Sequence, residues 1–368
     1  MKNVLIIGHF GGNNIGDELM LESLVSVLRN VDWIDKILVV CKTDNMIQSD
    51  QFTYVNLTFI DILSAIISAN SLILGGGTHF HDDYAKRRLN RHYLYLTKIL
   101  IISSVFKILN RKVLYFGVGY GPLSGRIVKI LTRVSVYCSD YIFVRDHSSF
   151  VRLKSLVGNV NKIKIGFDLT SLHKIFLKKN QKAKNLLGIS MTSLEYSNSK
   201  YSDEFWQTYF FPELIHRFSQ SDLEINIFGF RSGDRESDIQ LSRKLFEELR
   251  KKDKSRVKYY EYDENIDEFV YPILECRYFI ATRYHSAVLS FLANCHILII
   301  PYHQKLGDLA IDIGLDKEAI LDLESPETFS LKLKRLLNGA TIHKADVDVK
   351  KLNKITMTCI DEGIDLIR

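Results

Sequence analysis

Short apolar runs alternate with longer amphipathic stretches along most of the chain. In the first half the apolar runs are Val4–Ile7, Ile37–Val40, Ser71–Leu74, Lys112–Phe116, Tyr141–Val144 and Ile163–Ile165. In the second half they are Leu186–Ser190, Glu224–Phe228, Arg256–Tyr260, Tyr278–Ala281 and Ile297–Ile300. Such runs, separated by helical patterns, are typical of βαβ units whose parallel strands are buried on both faces. The pattern predicts an α/β fold.

The length of 368 residues exceeds what one hydrophobic core usually organises, which favours two domains. The lysine-rich, acid-free segment Ser171–Lys184 has little periodicity and predicts a linker. We therefore expect two doubly wound Rossmann-like domains that face a cleft. The expected division is an N-terminal domain over 1–170, a linker over 171–184, a C-terminal domain over 185–340 and a C-terminal helix over 341–368.

The net charge and the cysteine pattern limit the kinds of ligand and the cellular compartment that we expect. The formal net charge of +6 favours anionic ligands but is too diffuse to indicate nucleic acid. Five scattered cysteines, with no C-x-x-C pair, fit free thiols in a reducing compartment. No run of roughly 18 residues is apolar throughout, as a membrane span requires, and the first apolar run is too short for a signal peptide. We expect a cytoplasmic protein, either free or at the inner face of the membrane.

The loop Gly8–Glu18 joins the first apolar run to an amphipathic stretch and contains four glycines. Glycines let a backbone approach an anion while helix N-terminal N–H groups face it. The spacing fails the G-x-G-x-x-G dinucleotide pattern, and the Gly-Lys-Ser of a P-loop is absent. Two interpretations stay open: an anion-binding turn, or a tight turn in which Asn14 or Asp17 caps the helix.

Two further glycine clusters, Gly75–Gly77 and Gly117–Gly121, also follow apolar runs. Three glycine-rich turns after three strands of one domain predict a single ligand-lined cleft. His79, His81 and Asp82 follow the first of these clusters and are metal-ligand residue types, but they lack a further placed partner. We expect no metal there.

In the second domain, polar residues concentrate after two apolar runs. Arg283 and His285 lie where the Tyr278–Ala281 run gives way to a helical pattern over Ser286–Ala293. A guanidinium binds carboxylate or phosphate through paired hydrogen bonds, and an imidazole titrates near neutrality. Lys305 follows the next run and adds a second cation. Together these three side chains predict a site for a small phosphorylated anion; alternatively, Arg283 pairs with a carboxylate and His285 caps the helix.

Six blocks in the same order resemble the polysaccharide pyruvyl transferase family over most of the chain. They are Gly-x-x-Asn-x-Gly-Asp-Glu at Gly11–Glu18, the glycines at Gly75–Gly77, Gly-x-Gly-x-Gly-Pro at Gly117–Pro122, Val-Arg-Asp at Val144–Asp146, Arg-x-His-Ser at Arg283–Ser286 and Tyr-x-x-Lys at Tyr302–Lys305. One departure is Asn294-Cys295-His296, where the resemblance leads us to expect Gly-x-Pro. The resemblance implies a GT-B-like fold and transfer of pyruvate from phosphoenolpyruvate onto a sugar as a cyclic ketal.

This implied chemistry needs an acid, a base and cations that bind an anion. The resemblance suggests His285 for proton transfer and Asp17 for orienting or deprotonating the acceptor hydroxyl, with Asn14 as its hydrogen-bonding partner. The expected phosphoenolpyruvate ligands are Arg283, Lys305, Ser286 and Tyr302. The residues expected on the acceptor side are Gly12, Asn14, Gly16, Gly76, Gly77, His79 and Gly119. Phosphoenolpyruvate is the donor substrate, and no further cofactor is expected.

The segment 86–112 is basic, has no acid and surrounds an apolar stretch over Ile99–Leu109. It predicts either a helix packed on the sheet with solvated ends or a helix that contacts an anionic membrane. Because acceptors in surface-polysaccharide pathways are often lipid-linked, the membrane interpretation stays open.

Two alternative functions also stay open. One is a GT-B glycosyltransferase that binds a nucleotide sugar through the same cationic loop, although the second domain lacks a convincing paired-Glu element for such a donor. The other is a non-catalytic relative that binds a glycan or a partner enzyme, against which the intact Arg283, His285 and Lys305 argue.

Overall fold

The computed structural model describes residues 1–41, 52–82, 86–158, 160–177, 184–194, 202–231 and 238–368, with the backbone alone for 86–91 and 238. The chain divides into two compact units. The first comprises Met1–Gly12, Asp17–Lys174 and Val349–Arg368, and the second comprises Asn13–Gly16 and Ile175–Asp348. One boundary therefore falls inside the segment 171–184, and the C-terminal helix belongs to the first unit.

Among the described residues, the first unit contains eight strands, and helices connect most of them. Its elements are β1 (Lys2–Ile7), α1 (Ile15–Leu28), β2 (Ile34–Val40), β3 (Phe52–Val55), α2 (Phe59–Ser68), β4 (Ser71–Leu74), β5 (Gly77–Phe80), α3 (Lys86–Ile108), β6 (Lys112–Tyr120), α4 (Arg126–Cys138), β7 (Tyr141–Val144), α5 (His147–Val157), β8 (Ile163–Ile165) and a 3-10 turn over Leu169–Leu172. The strands form one parallel sheet in the order β3-β2-β1-β4-β6-β7-β8, and β5 pairs with β6. A short helix α6 (Lys174–Leu177) crosses the boundary.

Helices cover both faces of this first sheet. Leu24 of α1 and Ile360 of the C-terminal helix lie in the core on one face, whereas Ile66 of α2, Phe106 of α3 and Val136 of α4 lie in the core on the other. Burial on both faces explains why the strands read as continuous apolar runs. The six apolar runs of the first half all correspond to strands.

The apolar pattern of the sequence did not predict two strands of the first unit. The edge strand β3 has only four residues, and its two central residues are half-buried, so its apolar signal is weak. Strand β5 begins at Gly77 inside a glycine cluster, which reads as a turn. Both depend on pairing with a neighbouring strand rather than on local propensity.

The second unit repeats this architecture with fewer strands. Its elements are β9 (Lys184–Ser190), a π-helical turn over Trp206–Phe210, α7 (Phe211–Ser219), β10 (Glu224–Gly229), α8 (Asp238–Arg250), β11 (Val257–Glu261), α9 (Ile266–Leu274), β12 (Cys276–Ala281), α10 (Tyr284–Leu292), β13 (His296–Ile299), α11 (Gln304–Asp312) and α12 (Phe329–Leu337). The strands form a parallel sheet in the order β11-β10-β9-β12-β13. The five apolar runs of the second half correspond to these strands, so the predicted α/β class with two Rossmann-like domains is confirmed.

The final helix α13 (Val349–Asp365) returns to the first unit. It packs on β7 and on the turn over Leu169–Leu172, and a β-carbon at Gly363 would overlap the ring of Phe116. At its end, Lys2 Nζ donates hydrogen bonds to the carbonyls of Ile367 (2.8 Å) and Arg368 (2.7 Å). The helix therefore packs on its own chain.

The strand order reverses between β1 and β4 in the first sheet and between β9 and β12 in the second. In doubly wound sheets, ligands bind at the carboxyl ends of the strands beside such a reversal. The loops that follow β1, β4, β9 and β12 are therefore the places to look for a site. Among the described residues, no helix is long and apolar enough to cross a membrane.

Candidate active site

In the second unit, buried hydroxyl groups join the ends of β9 and β12. The hydroxyl of Ser190 accepts a hydrogen bond from the backbone N–H of Thr282 (3.1 Å) and donates one to Ser286 Oγ (2.7 Å). The Thr282 hydroxyl donates to the carbonyl of Ser190 (3.1 Å). All three side chains are fully shielded from solvent or nearly so. The network fixes the backbone from which Arg283 and His285 project.

Arg283 occupies the N-cap position of α10, with an extended backbone. Its backbone N–H donates to Ser286 Oγ (3.1 Å), which in turn donates to the carbonyl of Arg283 (2.8 Å). Ser286 thus closes the first turn of the helix, and its buried hydroxyl holds Arg283 rather than facing solvent. This placement differs from a direct ligand role for Ser286, because hydrogen bonds to the chain itself engage its hydroxyl.

The glycine-rich loop after β1 contributes Asn13–Gly16 to the second unit. Asn14 forms an antiparallel bridge with Arg231, and the N–H of Ile15 donates to the carbonyl of Phe230 (3.3 Å). At Gly16 the backbone comes so close to His285 that a β-carbon would overlap the imidazole. The structure therefore brings together three residues that the sequence analysis singled out, namely Asn14, Gly16 and His285.

Lys305 lies in the first turn of α11, beyond the carboxyl end of β13. The N–H of Lys305 donates to Nδ1 of His303, which caps this helix (3.3 Å). Lys305 and the preceding Tyr302 are half-buried. Since β13 is the neighbour of β12, the loops that carry Lys305 and Arg283 leave adjacent strands at the same edge of the sheet.

In the first unit, His79 anchors the glycine cluster that follows β4. Its Nε2 donates to the carbonyls of Gly75 (2.7 Å) and Gly76 (2.9 Å), so Nδ1 accepts from the hydroxyl of Tyr95 (2.6 Å). Burial, together with the charge of the neighbouring His9, lowers the pKa of His79 to about 3. Because the ring is fully buried and bonded to two glycine carbonyls, His79 holds the shape of this loop.

Two side chains approach the glycine cluster from the loop after β1. The exposed imidazole of His9 stacks on that of His79, with ring centroids 4.6 Å apart. Asp17 Oδ1 and His9 Cδ2 both lie within 4 Å of the point that a β-carbon on Gly77 would occupy. The φ angle of Gly77 is +101°, a backbone conformation that favours glycine. Asp17 is therefore held beside Gly77 rather than only at the helix end.

The remaining glycines of the first unit serve close packing. A β-carbon at Gly119 would lie 3.1 Å from Nε of Arg145, and one at Gly76 would overlap the sulfur of Met20. Gly12 has more room, since the nearest atom to its β-carbon position is 3.9 Å away. Gly76 and Gly119 thus shape the walls of this loop region, while Gly12 borders open space.

Behind Gly119 lies a buried ion pair. The guanidinium of Arg145 is 3.2 Å from Asp168 Oδ2 and donates to the hydroxyl of Thr78 (2.9 Å). Both charged side chains are almost completely buried. Asp146 lies 3.7 Å from Arg145 and caps α5 by accepting from the N–H of Ser149. Arg145 therefore ties the ends of β5, β7 and the turn after β8 together.

The polar residues after β5 have local partners. Asp82 Oδ2 accepts hydrogen bonds from the backbone N–H groups of Ser124 (2.7 Å) and Gly125. His81 packs on the ring of His92. In the part of the chain that the structure describes, no three His, Cys, Asp or Glu side chains form a group that could hold a metal ion.

Sequence reasoning missed the residues that support these side chains. Ser190 is the last residue of β9, Thr282 directly follows β12, and Asp168 caps a 3-10 turn. Nothing in the local pattern distinguishes them from ordinary caps, because their partners are far away in sequence. His9 offered a signal, since a polar ring directly follows the first buried strand and its glycine.

Comparisons with known proteins agree with this architecture. The family model described as polysaccharide pyruvyl transferase matches residues 14–304. No curated protein matches the chain by sequence. Two solved structures of UDP-GlcNAc 2-epimerases are similar to this chain. The enzyme from Neisseria meningitidis bound to UDP-GlcNAc has a TM-score of 0.62 at 11% identity, covering 99% of each chain. The enzyme from Methanocaldococcus jannaschii has a TM-score of 0.61 at 13% identity, covering 98% of this chain and 100% of that one. Anabaena Alr3699/HepE in complex with UDP-glucose has a TM-score of 0.58 at 11% identity, covering 98% of this chain and 100% of that one. At these identities the likeness shows the fold alone, which is GT-B-like.

Proposed function

Since the chain belongs to the polysaccharide pyruvyl transferase family, we propose that it transfers pyruvate from phosphoenolpyruvate onto a sugar of a surface polysaccharide, or of its lipid-linked precursor, as a cyclic ketal. The observation that carries the proposal is the pair Arg283 and His285, at the reversal point of the second sheet and at the N-terminus of α10. This location favours a small anion next to a group that can move a proton.

Arg283 and Lys305 are proposed to bind the phosphate and carboxylate of phosphoenolpyruvate. Their loops leave adjacent parallel strands, and both side chains lie at helix N-termini, where backbone N–H groups also attract anions. Tyr302 precedes Lys305 in the same loop. The hydroxyl network through Ser286 fixes the direction from which Arg283 approaches.

His285 is proposed to deliver a proton to the methylene carbon of phosphoenolpyruvate. One sugar hydroxyl then bonds to the adjacent carbon. The bond from that carbon to the phosphate oxygen breaks, and a second hydroxyl bonds to the carbon in place of the phosphate. The hydroxyl protons balance the reaction, one ending in the new methyl group and one on the released phosphate. Asp17, beside Gly77, is proposed to orient or deprotonate an acceptor hydroxyl, with Asn14 as its partner.

The test is a thermal-shift and calorimetric titration of the purified protein with phosphoenolpyruvate, UDP-glucose and UDP-GlcNAc. We expect stabilisation by phosphoenolpyruvate that is lost in Arg283→Ala. Arg277→Ala is the matched control, because Arg277 is an exposed arginine at the opposite end of the same strand. Stabilisation by a UDP-sugar alone, or equal phosphoenolpyruvate binding by wild type and Arg283→Ala, would contradict the proposal.

A further inference from the structure

The helices α2, α3 and α4 cover one face of the first sheet, and their outward side is apolar and cationic. On α4 the exposed side chains form two stripes, each at helical spacing. The apolar stripe consists of Ile127, Ile130, Val134 and Tyr137. The basic stripe consists of Arg126, Lys129 and Arg133. The helix contains no acidic residue, so an apolar stripe lies beside an uninterrupted line of positive charge.

Helix α2 adds a second apolar stripe. Phe59 and Ile60 are 79% and 76% exposed, and Leu63 and Ile67 continue the stripe at helical spacing. Only Ala65 and Ile66 of this helix are buried. Its one acidic residue, Asp61, is half-buried. A soluble helix normally turns such side chains inward, so this exposed stripe indicates a surface that contacts something apolar.

Helix α3 lies between the other two and continues both properties. Leu94, Ile101 and Ile108 are exposed at intervals of seven residues, and the last is 81% exposed. Lys98 is exposed between the first two. The exposed Lys107 forms an ion pair with Asp140 (2.8 Å). Like α4, this helix contains no acidic residue.

Hydrogen bonds hold the three helices together as one surface. Nη1 of Arg111, just after α3, donates to the carbonyls of Ile66 (2.7 Å) and Ala69 (2.6 Å) at the end of α2. Beneath α3 and α4, the hydroxyl of Tyr115 contacts Ser103 Oγ and donates to the carbonyl of Ser135 (3.3 Å in each case). The three linked helices thus present their exposed stripes on the same side of the sheet, and this surface is the outer face of α2–α4.

We propose that this outer face of α2–α4 docks on the surface of an anionic lipid bilayer. Apolar side chains from three helices would enter the boundary between headgroups and acyl chains, while Lys98, Lys129 and the neighbouring arginines meet the negative headgroups. A second copy of the chain is a poor occupant, because a two-fold interface would bring this cationic face against itself. The inference goes beyond the proposed chemistry and does not depend on it.

The first test is flotation of the full chain with phosphatidylcholine vesicles, with and without phosphatidylglycerol. We expect binding to the anionic vesicles that weakens as salt rises. Lys98→Glu/Lys129→Glu should lower the partition coefficient at least about tenfold. The matched control is Lys351→Glu/Lys354→Glu, which changes charge equally on α13, across the sheet. It should bind like wild type.

The second test removes apolar area. Phe59→Ser/Ile130→Ser should reduce vesicle binding even at low salt, whereas Ile311→Ser/Leu331→Ser, at exposed positions of the second unit, should not. Equal binding to neutral and anionic vesicles, no binding to either, or equal loss in test and control variants would overturn the proposal. So would a dimer in light scattering that Phe59→Ser/Ile130→Ser dissociates. The same variants are also titrated with phosphoenolpyruvate. This titration distinguishes a failure of membrane docking from a failure of the proposed reaction.

Discussion

The imidazole of His285 packs directly against the α-carbon of Gly16, so that no side chain could stand between them. Gly16 lies in the first turn of α1, yet it groups with the second unit, where His285 lies in the first turn of α10. The position of the histidine ring therefore depends on a glycine more than 250 residues earlier in the chain.

Gly16→Ala should lower both the rate of pyruvyl transfer and the unfolding temperature. The added methyl group displaces the His285 ring, and a displacement of about 1 Å at a reacting group can cost on the order of a hundredfold in rate. The unfolding temperature should fall as well, because the new methyl carbon would overlap Cγ at the base of the ring, and ring rotation alone does not relieve this overlap. Activity is therefore compared at a temperature at which both proteins are folded. Pyruvyl transfer and thermal melting measure the two effects. Gly307→Ala, in the second unit, is the control, since no described atom lies within 4 Å of the position of its added methyl group; wild-type activity in Gly16→Ala would contradict the assignment of His285.

Ser286→Ala should weaken phosphoenolpyruvate binding without removing any group that touches it. The substitution takes away the acceptor of the Arg283 N–H and a partner of Ser190, which costs about 1–2 kcal/mol of stability and loosens Arg283. A raised KM with a smaller change in kcat is the expected kinetic result. Ser290→Ala, at a buried serine of the same helix whose hydroxyl donates to the carbonyl of Ala287, should leave KM unchanged.

Removing one partner of the Arg145–Asp168 ion pair should destabilise the first unit by about 3–5 kcal/mol, because a buried charge is left uncompensated. Arg145→Met/Asp168→Leu should cost less than the sum of the two single substitutions. Urea unfolding of the four proteins measures the coupling. Lys164→Met, at an ion pair with Glu362 that is nearly half exposed, should cost below about 1 kcal/mol. Additive losses at Arg145 and Asp168 would show that the pair is not coupled.

The low pKa of His79 predicts an acid-sensitive fold. The folded state binds this proton only near pH 3, whereas the unfolded state binds it near pH 6.5, so stability falls as the pH drops through that interval. The slope from this one group is at most about 1.4 kcal/mol per pH unit. Urea unfolding at pH 4 to 7 should show a shallower dependence in His79→Gln than in wild type. Parallel profiles would mean that His79 is already protonated in the folded state.

The sequence predicted the class of fold because burial on both faces leaves a strong signal in each parallel strand. Eleven apolar runs correspond to strands, whereas β3 and β5 were missed because the first is a short edge strand and the second starts at a glycine. The helix proposed over Ser286–Ala293 begins two residues earlier, at Tyr284, since the cap is Arg283 itself.

The candidate site was predictable only in part. Arg283, His285 and Asp17 stand out because charged groups directly follow strands or open helices. That Ser286 caps the helix and His79 is locked beneath the glycines required knowledge of their distant partners, Ser190 and Tyr95. The basic segment 86–112 was recognised in the sequence, but the neighbouring apolar stripe of α2 gave no sign of being exposed. Side chains of Arg87, Arg88 and Arg91 lie outside the described residues.

The return of α13 to the first unit sets an order for folding during synthesis. The second unit has all its residues once position 348 has emerged from the ribosome, since Asn13–Gly16 were made long before. The first unit, although it starts the chain, lacks one of the helices that cover its sheet until Val349–Asp365 follows. The unit that is translated first is therefore the unit that completes its fold last. Until α13 has been synthesised, the face of its sheet around Phe116 is not covered by that helix.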